Sequence, residues 1–152
     1  MSSINKGDSL YLEDLHVGQE FVSRDHQLDA EQIITFASQY DPQPFHTDPQ
    51  AAQNSFFKGL VASGWHTMAI SMRLMVESIP FSGGVIGLGG EISWPRPTRP
   101  DDTLRVSAKI TEIIPSKSKP DRGIVHLQSR TINHAGEVLQ ELTAKLVVFK
   151  RA

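Results

Sequence analysis

The sequence predicts an α+β fold in which an antiparallel β-sheet wraps around one long buried helix. Apolar residues from Trp65 to Ile79 cover most of a helical circumference, which is typical of a helix that is buried on nearly all sides. The C-terminal part of the chain contains segments in which apolar and polar side chains alternate, as they do in half-buried strands. The connections between these segments are short enough for hairpins, which join antiparallel strands.

The first helix is predicted to begin after Asp29 and to end at Asp41. Asp29 is a favourable N-terminal cap, and Gln32 three residues later completes a capping-box pattern. Pro42 stops this helix because proline lacks the backbone N–H that a helix interior requires.

Two further helix starts follow. Asp48 is predicted to cap a helix that has Pro49 at its first position. The central helix is predicted to begin at Ser63 and Gly64 and to run for about 15 residues, or roughly 22 Å. That length is too short to span a bilayer.

Five segments are predicted to be strands. The four that follow the central helix are expected to form a meander, and the proline-rich connection from Pro95 to Thr103 is interpreted as one of its hairpins. Glycines clustered between positions 83 and 90 predict a bend or a close backbone approach. The predicted strands are Glu20 to Gln27, Val85 to Trp94, Leu104 to Ile114, Ile124 to Ile132 and Val138 to Phe149.

The segment from Asp41 to His46 places a carboxylate and an imidazole five positions apart in a stiffened bend. Pro42 and Pro44 restrict the backbone, so this segment is not expected to form regular helix. General acid–base chemistry requires two groups within reach of the same proton. Such a segment is also an ordinary way to end one helix and begin another, so these residues alone favour neither interpretation.

Ser63 and Gly64 lie where the central helix begins. Unpaired N–H groups at a helix N-terminus favour an anion or a polarised carbonyl oxygen, and glycine lets a ligand approach the backbone. Taken alone, however, the pattern is better explained by a cap and a tight packing contact. Nearby, His66 is interpreted as a hydrogen-bonded core histidine in preference to a pocket-lining one. No metal site is predicted, because Asp41, His46 and Asp48 lack a recognisable ligand spacing.

Composition restricts the possible functions. A chain of 152 residues is expected to form one domain over residues 1–152. A net charge of −2 gives no nucleic-acid footprint. The absence of cysteine excludes disulfides, thiolate nucleophiles and thiolate metal sites, and fits a cytoplasmic protein. The first eight residues contain no apolar stretch, so no secretion signal and no membrane association are expected.

From Val17 to the last strand, the chain resembles the MaoC-like dehydratase family, which includes the (R)-specific enoyl-CoA hydratases. The family motif runs roughly Gly-Asp-x-Asn-Pro-(Leu/Ile)-His, and its acid, second proline and histidine coincide with positions 41, 44 and 46. Tyr40 stands where the family has glycine, and Gln43 where it has asparagine. The family glycine of the central helix corresponds to Gly64, and a later Trp-Pro-Arg-Pro completes the pattern. The resemblance implies a hot-dog fold.

The resemblance implies a hydratase or dehydratase that acts on an enoyl-CoA. Asp41 and His46 would move the protons of one water molecule, and burial is expected to raise the pKa of the carboxyl group. Gly64, Ser63 and Gln43 are predicted to bind the substrate and to stabilise the enolate oxygen. Coenzyme A would enter only as part of the substrate, and no separate cofactor is expected.

Four basic residues are predicted to bind the phosphates of coenzyme A, although solvated loop charge is the default interpretation. They lie in two connections that are expected to share one end of the sheet. These residues are Arg96, Lys117, Lys119 and Arg122.

Two alternative functions remain open, namely an acyl-CoA thioesterase and a non-catalytic acyl-thioester binding module. The paired acid and histidine favour the hydratase over both. The variant residues Tyr40 and Gln43 predict a reshaped pocket for a branched, polar or otherwise unusual acyl group. Because exposed sheet edges tend to be paired or shielded, a two-fold homodimer is also predicted.

Overall fold

The predicted fold class is confirmed by the computed structural model, which describes residues 9–152. An antiparallel sheet wraps around one long helix in the hot-dog arrangement. The first eight residues, for which no secretion signal is expected, lie outside the described residues. Within residues 9–152, no helix combines the length and the apolar character needed to cross a membrane.

Residues 9–152 form four α-helices, one 3-10 turn (Leu12–Asp14) and six strands, and the predicted helices and strands occur among them in the predicted chain order. The predicted strand from Glu20 to Gln27 is interrupted, and its two short parts both pair with β4. The helices are α1 (Ala30–Tyr40), α2 (Pro44–Thr47), α3 (Pro49–Gln53) and α4 (Gly64–Ser78). The strands are β1 (Glu20–Val22), β2 (His26–Gln27), β3 (Ile86–Ser93), β4 (Thr103–Pro115), β5 (Arg122–Ile132) and β6 (Val138–Phe149).

The strand order is β1-β4-β5-β6-β3, so the prediction of a four-strand meander is wrong for β3. Hairpins do join β4, β5 and β6, but β3 pairs with β6 at the far side of the sheet. The proline-rich connection crosses the start of α4, where Ala62 N–H donates to the carbonyl oxygen of Thr98 at 2.8 Å. Its prolines lack the N–H groups that a ladder requires, which disfavours a hairpin there.

The start of α1 is as predicted, but its capping box is not closed. The Asp29 carboxylate accepts the backbone N–H of Gln32 at 2.8 Å. The side chain of Gln32 turns away and bonds to the Gln27 carbonyl oxygen at 3.1 Å and to the His26 ring at 2.7 Å. This contact ties α1 to β2.

The link between α1 and α3 is partly helical, which corrects the expectation of a wholly irregular segment. Pro44 occupies the first position of the single-turn helix α2, where a missing N–H costs nothing. Asp48 then caps α3 and Pro49 begins it, as predicted.

Helix α4 is the predicted central helix, but only one side of it is buried in this chain. Ile70, Leu74 and Met75 pack into the core against the sheet. The opposite side is exposed, with Trp65 at 62% and Val76 at 49% of their full accessible surface. We call this side the exposed stripe, and its residues are Trp65, Ala69, Met72 and Val76.

The glycine cluster contains the predicted close approach. A Cβ atom on Gly90 would lie 2.1 Å from the carbonyl oxygen of Thr143 on β6. A bulge between Gly87 and Gly89 shifts the register immediately before this contact. The backbones of β3 and β6 are therefore so close at position 90 that only glycine, which has no Cβ atom, fits there.

Candidate active site

A cavity of about 460 Å³ opens at the N-terminal end of α4. It lies between the α1–α2 segment on one side and the proline-rich connection on the other. We call it the acid–histidine cavity. Among its lining residues are Asp41, His46, Gly64, Trp65, Trp94 and Thr98.

The structure brings the predicted acid and histidine together. Oδ2 of Asp41 lies 3.3 Å from Nε2 of His46, whose side chain is buried. The other ring nitrogen, Nδ1, lies 2.7 Å from the carbonyl oxygen of Val61. Because a carbonyl oxygen can only accept, Nδ1 carries a proton. Nε2 is therefore the nitrogen that faces the carboxylate and can exchange a proton there.

Two side chains donate hydrogen bonds to Asp41. Ser63 Oγ donates to Oδ2 at 2.7 Å, and Gln43 Nε2 donates to Oδ1 at 2.6 Å. Burial raises the pKa of this carboxyl group, but the two donors and the nearby His46 together lower it below its usual value of 3.8. The prediction of a raised pKa is therefore wrong, because hydrogen bonds to the charged form outweigh desolvation.

Ser63 and Gln43 both bond to Asp41, and their predicted role in substrate binding stays a prediction. Ser63 also caps α4, because its Oγ accepts the N–H of Trp65 at 3.2 Å. Tyr40 lies outside the cavity and is 66% exposed, so its bulk does not reshape the pocket.

The N–H of Gly64 donates to no protein atom among residues 9–152 and lies at the cavity wall. The space beside its Cα is filled by the indole of Trp94, since a Cβ there would lie 2.7 Å from Cε2 of the indole. Trp94 is held by Gln140, whose Oε1 accepts the indole N–H at 3.0 Å. The sequence alone predicts no contact between these two residues, because they meet only through β3–β6 pairing.

The four basic residues do not share one end of the sheet. Arg96 lines the cavity, with Nη1 2.8 Å from the Glu137 carboxylate. Lys117 and Lys119 follow the far end of β4, and Arg122 begins β5 there. Because β4 has 13 residues and a strand rises about 3.3 Å per residue, roughly 40 Å of strand separates the two groups. The prediction that the four basic residues share one end of the sheet is therefore wrong for a single chain.

His66 lines a second cavity of about 520 Å³ between α1 and α4. Its ring is stacked on Phe36 at 4.5 Å and is 7% exposed. Within residues 9–152, its Nδ1 has no hydrogen-bond partner. The interpretation of His66 as a hydrogen-bonded core histidine is therefore wrong. Burial and the nearby His26 lower the pKa of His66 to about 4.

The carboxylate of Asp48 serves as the N-terminal cap of α3. It accepts the N–H groups of Gln50 and Ala51 at the start of α3. Residues 9–152 hold no group of three or more histidine, aspartate or glutamate side chains that could bind a metal ion.

Comparisons with known proteins agree with this architecture. A family model described as a MaoC-like domain matches residues 14–131. A MaoC-like dehydratase from Rhodospirillum rubrum is 55% identical, with a TM-score of 0.93 over 95% of this chain and 99% of that one. The uncharacterized protein YdeM of Bacillus subtilis (strain 168) is 31% identical over 125 residues, which cover 80% of this chain and 86% of YdeM.

The R-hydratase PhaJ1 of Pseudomonas aeruginosa, in its unliganded form, also has this fold. It matches 94% of this chain and 88% of its own with a TM-score of 0.78. At 24% identity, this likeness concerns the fold alone.

Proposed function

The chain belongs to the MaoC-like domain family, and from this premise we propose that it is a hydro-lyase acting on an acyl-CoA thioester. It would add water across the C2–C3 bond of an enoyl-CoA, or remove it. One observation carries this proposal. The Asp41 carboxylate and Nε2 of His46 lie 3.3 Å apart in a cavity that also presents the unpaired Gly64 N–H.

The carboxylate is suited to act as a base on water. Ser63 and Gln43 keep Asp41 ionised, and the Val61 carbonyl oxygen fixes the tautomer of His46. A water molecule held between Asp41 Oδ2 and His46 Nε2 would lose a proton as its oxygen adds to C3. Two groups that share one proton in this way act as a unit.

The electron pair of the double bond then moves to the thioester oxygen. The Gly64 N–H at the start of α4 supports this step, because it can donate to an enolate oxygen and the helix dipole favours negative charge. C2 takes up the proton that the acid–histidine pair received from water. One water molecule is added, and both side chains return to their starting states.

An assay with two readouts tests the proposal. Purified protein is incubated with crotonyl-CoA and a set of other enoyl-CoA thioesters, while the absorbance of the conjugated thioester and the release of free thiol are followed. Loss of conjugation without thiol release is expected. Thiol release would instead identify a thioesterase, and no change with any thioester would favour a binding module.

The acyl group is proposed to differ from a plain straight chain. Gln43 is one methylene longer than the asparagine of the family motif, and it lines the cavity while holding Asp41. If crotonyl-CoA were the best substrate in a broad panel, this proposal would be wrong.

Arg96 is proposed to contact a phosphate of coenzyme A at the mouth of the acid–histidine cavity. Its only ion pair among the described residues is with Glu137, a partly exposed contact of 2.8 Å. Arg96→Gln is therefore expected to raise KM for the thioester about tenfold, since a bond to a charged group contributes roughly 1.5 kcal/mol. Lys117→Gln, at the other end of β4, is the control and should leave KM unchanged. Equal effects of both changes would contradict this placement.

A homodimer is proposed as the assembled form. Strand β3 lies at the edge of the sheet and has a ladder partner on one side only among residues 9–152. Leu88 on this strand is 56% exposed, and the exposed stripe of α4 adds further apolar surface. A second copy paired along β3 would cover both features. Sedimentation at micromolar concentration should show a dimer, and a monomer would refute this assembly.

A further inference from the structure

One wall of the acid–histidine cavity is an indole ring that a buried glutamine holds in place. Trp94 lines the cavity and follows the last residue of β3. Its indole N–H donates to Oε1 of Gln140 on β6 at 3.0 Å, and Nε2 of Gln140 donates to Sδ of Met68 on α4 at 3.4 Å. Gln140 is 1% exposed, so both ends of its amide are used inside the protein. We call Trp94, Gln140 and Met68 the indole clamp.

The indole clamp fixes the ring beside the N–H of Gly64. Gly64 and Met68 lie four residues apart on α4 and therefore on one face of the helix. A Cβ atom on Gly64 would lie 2.7 Å from Cε2 and 2.8 Å from Cζ2 of the Trp94 indole. Because non-bonded heavy atoms pack at about 3.5 Å or more, a water oxygen at this point would also overlap with the ring. The Cβ position adjoins the backbone nitrogen of the same residue, so the indole closes one flank of the Gly64 N–H.

The bond to Gln140 decides where the ring lies. The Trp94 side chain is 41% exposed, and Trp65, which meets it edge to face at 5.8 Å, is itself 62% exposed. An indole N–H needs an acceptor when it is buried. Removal of the Gln140 acceptor therefore favours a ring that turns its N–H toward water and moves away from Gly64.

We propose that Gln140 is a positioning residue for the reaction. By holding the indole against Gly64, it keeps water away from the N–H that stabilises the enolate oxygen. A hydrogen bond to a developing negative charge is stronger in a site that excludes water than in water. This inference rests on the proposed function, because it takes the Gly64 N–H as the donor to the enolate oxygen.

Such a role affects kcat more than KM. The negative charge on the thioester oxygen develops only as water adds to C3, so a drier donor stabilises the transition state more than the bound substrate. If Gln140 merely shaped the wall of the cavity, its loss would weaken substrate binding and raise KM. The split between kcat and KM therefore separates positioning of the donor from packing of the wall.

Two substitutions at position 140 test the proposal. Gln140→Met keeps the length of the side chain and removes the acceptor, whereas Gln140→Glu keeps both the length and an acceptor in either protonation state. With the best enoyl-CoA, Gln140→Met should lower kcat about tenfold at nearly constant KM, a smaller loss than the roughly 10²-fold that follows deletion of an oxyanion donor. Gln140→Glu should retain most of the turnover.

Ser71→Ala is the matched control, because it removes an equally buried hydrogen bond between α4 and the sheet. Ser71 is 1% exposed, and its Oγ lies 2.6 Å from Oγ1 of Thr131 on β5, outside the acid–histidine cavity. This variant should leave kcat and KM unchanged. Equal losses of kcat in Gln140→Met and Ser71→Ala would indicate a general loosening of the fold and would overturn the inference.

Fluorescence reports the position of the ring independently of activity. The chain has two tryptophans, so Trp65→Phe leaves Trp94 as its only one. In this background, Gln140→Met should shift the Trp94 emission to longer wavelength and increase its quenching by acrylamide, whereas Gln140→Glu should do neither. Unchanged fluorescence in Gln140→Met would show that Gln140 does not hold the indole.

The outcomes separate this inference from the proposed function. A higher KM at unchanged kcat in Gln140→Met, together with hydration by the wild-type protein, overturns the inference alone. If Gln140→Met does not fold, Trp94→Phe, which lacks the N–H and leaves a gap beside Gly64, should show the same loss of kcat, and unchanged kcat there overturns the inference. A wild-type protein that hydrates no enoyl-CoA overturns the proposed function and the role of Gln140 in catalysis, and the fluorescence then decides only whether Gln140 holds the indole.

Discussion

Two histidines near the start of α4 are buried to almost the same extent but differ in their partners. His46 is 6% exposed and His66 is 7% exposed. His46 bonds to the Val61 carbonyl oxygen and faces the Asp41 carboxylate. His66 is stacked on Phe36, and its Nδ1 has no partner within residues 9–152.

The difference shows that burial alone does not prepare a histidine for proton transfer. The carboxylate beside Nε2 of His46 gives that ring a partner for proton exchange, whereas desolvation penalises the charged form of His66, which has no such partner. His66 faces another histidine instead, and its pKa falls to about 4. At neutral pH, His66 therefore stays uncharged and does not act as an acid.

The largest expected effect is on kcat, which should depend on His46 but not on His66. Asp41→Asn and His46→Gln should each lower kcat by at least about 10²-fold, as is typical of general acid–base groups. The double variant should be scarcely worse than the worse single variant, because groups that act as a unit are non-additive. Turnover of the best enoyl-CoA is the measurement.

His66→Gln is the matched control, since it makes the same change at an equally buried histidine outside the acid–histidine cavity. It should retain near wild-type turnover at neutral pH. Near wild-type turnover of Asp41→Asn or His46→Gln would instead remove the distinction and leave the bent segment with a structural role.

The next effect concerns stability. The unfolded His66 binds a proton near its ordinary pKa of 6.5, whereas the folded one does so only near 4. The free energy of unfolding is therefore unaffected by His66 above pH 6.5. It falls by up to about 3 kcal/mol as the pH decreases from 6.5 to 4, because the unfolded chain binds a proton that the folded one does not.

His66→Phe should remove this loss, and urea unfolding at pH 7.5 and pH 4.5 measures it. His16→Gln, a change at an exposed histidine, should leave the pH dependence as it is. An unaltered pH dependence in His66→Phe would show that His66 is already protonated in the folded protein at low pH.

The smallest effect removes one partner from the functional pair. Ser63→Ala deletes a donor to Asp41, so the pKa of the carboxyl group should rise toward its usual value. The acid limb of the kcat/KM profile should then move to higher pH. Loss of the cap should also lower stability by about 1 kcal/mol.

Asp48→Ala is the control for the cap, because it uncaps α3 without contacting Asp41. It should lower stability similarly but leave the acid limb in place. Equal shifts of the acid limb in both variants would mean that the Ser63 hydroxyl does not tune the carboxyl group.

Local sequence signals predicted most of the secondary structure and, in the site, the proximity of Asp41 and His46. Asp29, Asp48 and Pro42 set the helix boundaries through their own backbone chemistry, which acts within a few residues. The pairing of Asp41 with His46 was predictable for the same reason, since a short stiff segment joins them. What the sequence could not specify was long-range.

The position of β3 beside β6 depends on pairing between residues that lie 48 to 61 positions apart, which alternation alone does not encode. The contact of Trp94 with Gly64, and the separation of Arg96 from Lys117, follow from that pairing. The lowered pKa of Asp41 depends on two donors whose direction is fixed only in three dimensions. The apolar surroundings of the acid can be inferred from the sequence, but these two hydrogen bonds cannot.

The crossing of the proline-rich connection also orders the folding of the chain. The wall of the acid–histidine cavity that carries Trp94 is fastened by Gln140, a residue of the final strand. During synthesis, the acid, the histidine and the start of α4 emerge well before that strand does. Non-local pairings of this kind form slowly, because loop closure must come first. We therefore expect the cavity to be completed only after the final strand has paired, so that a partly folded chain does not enclose a substrate.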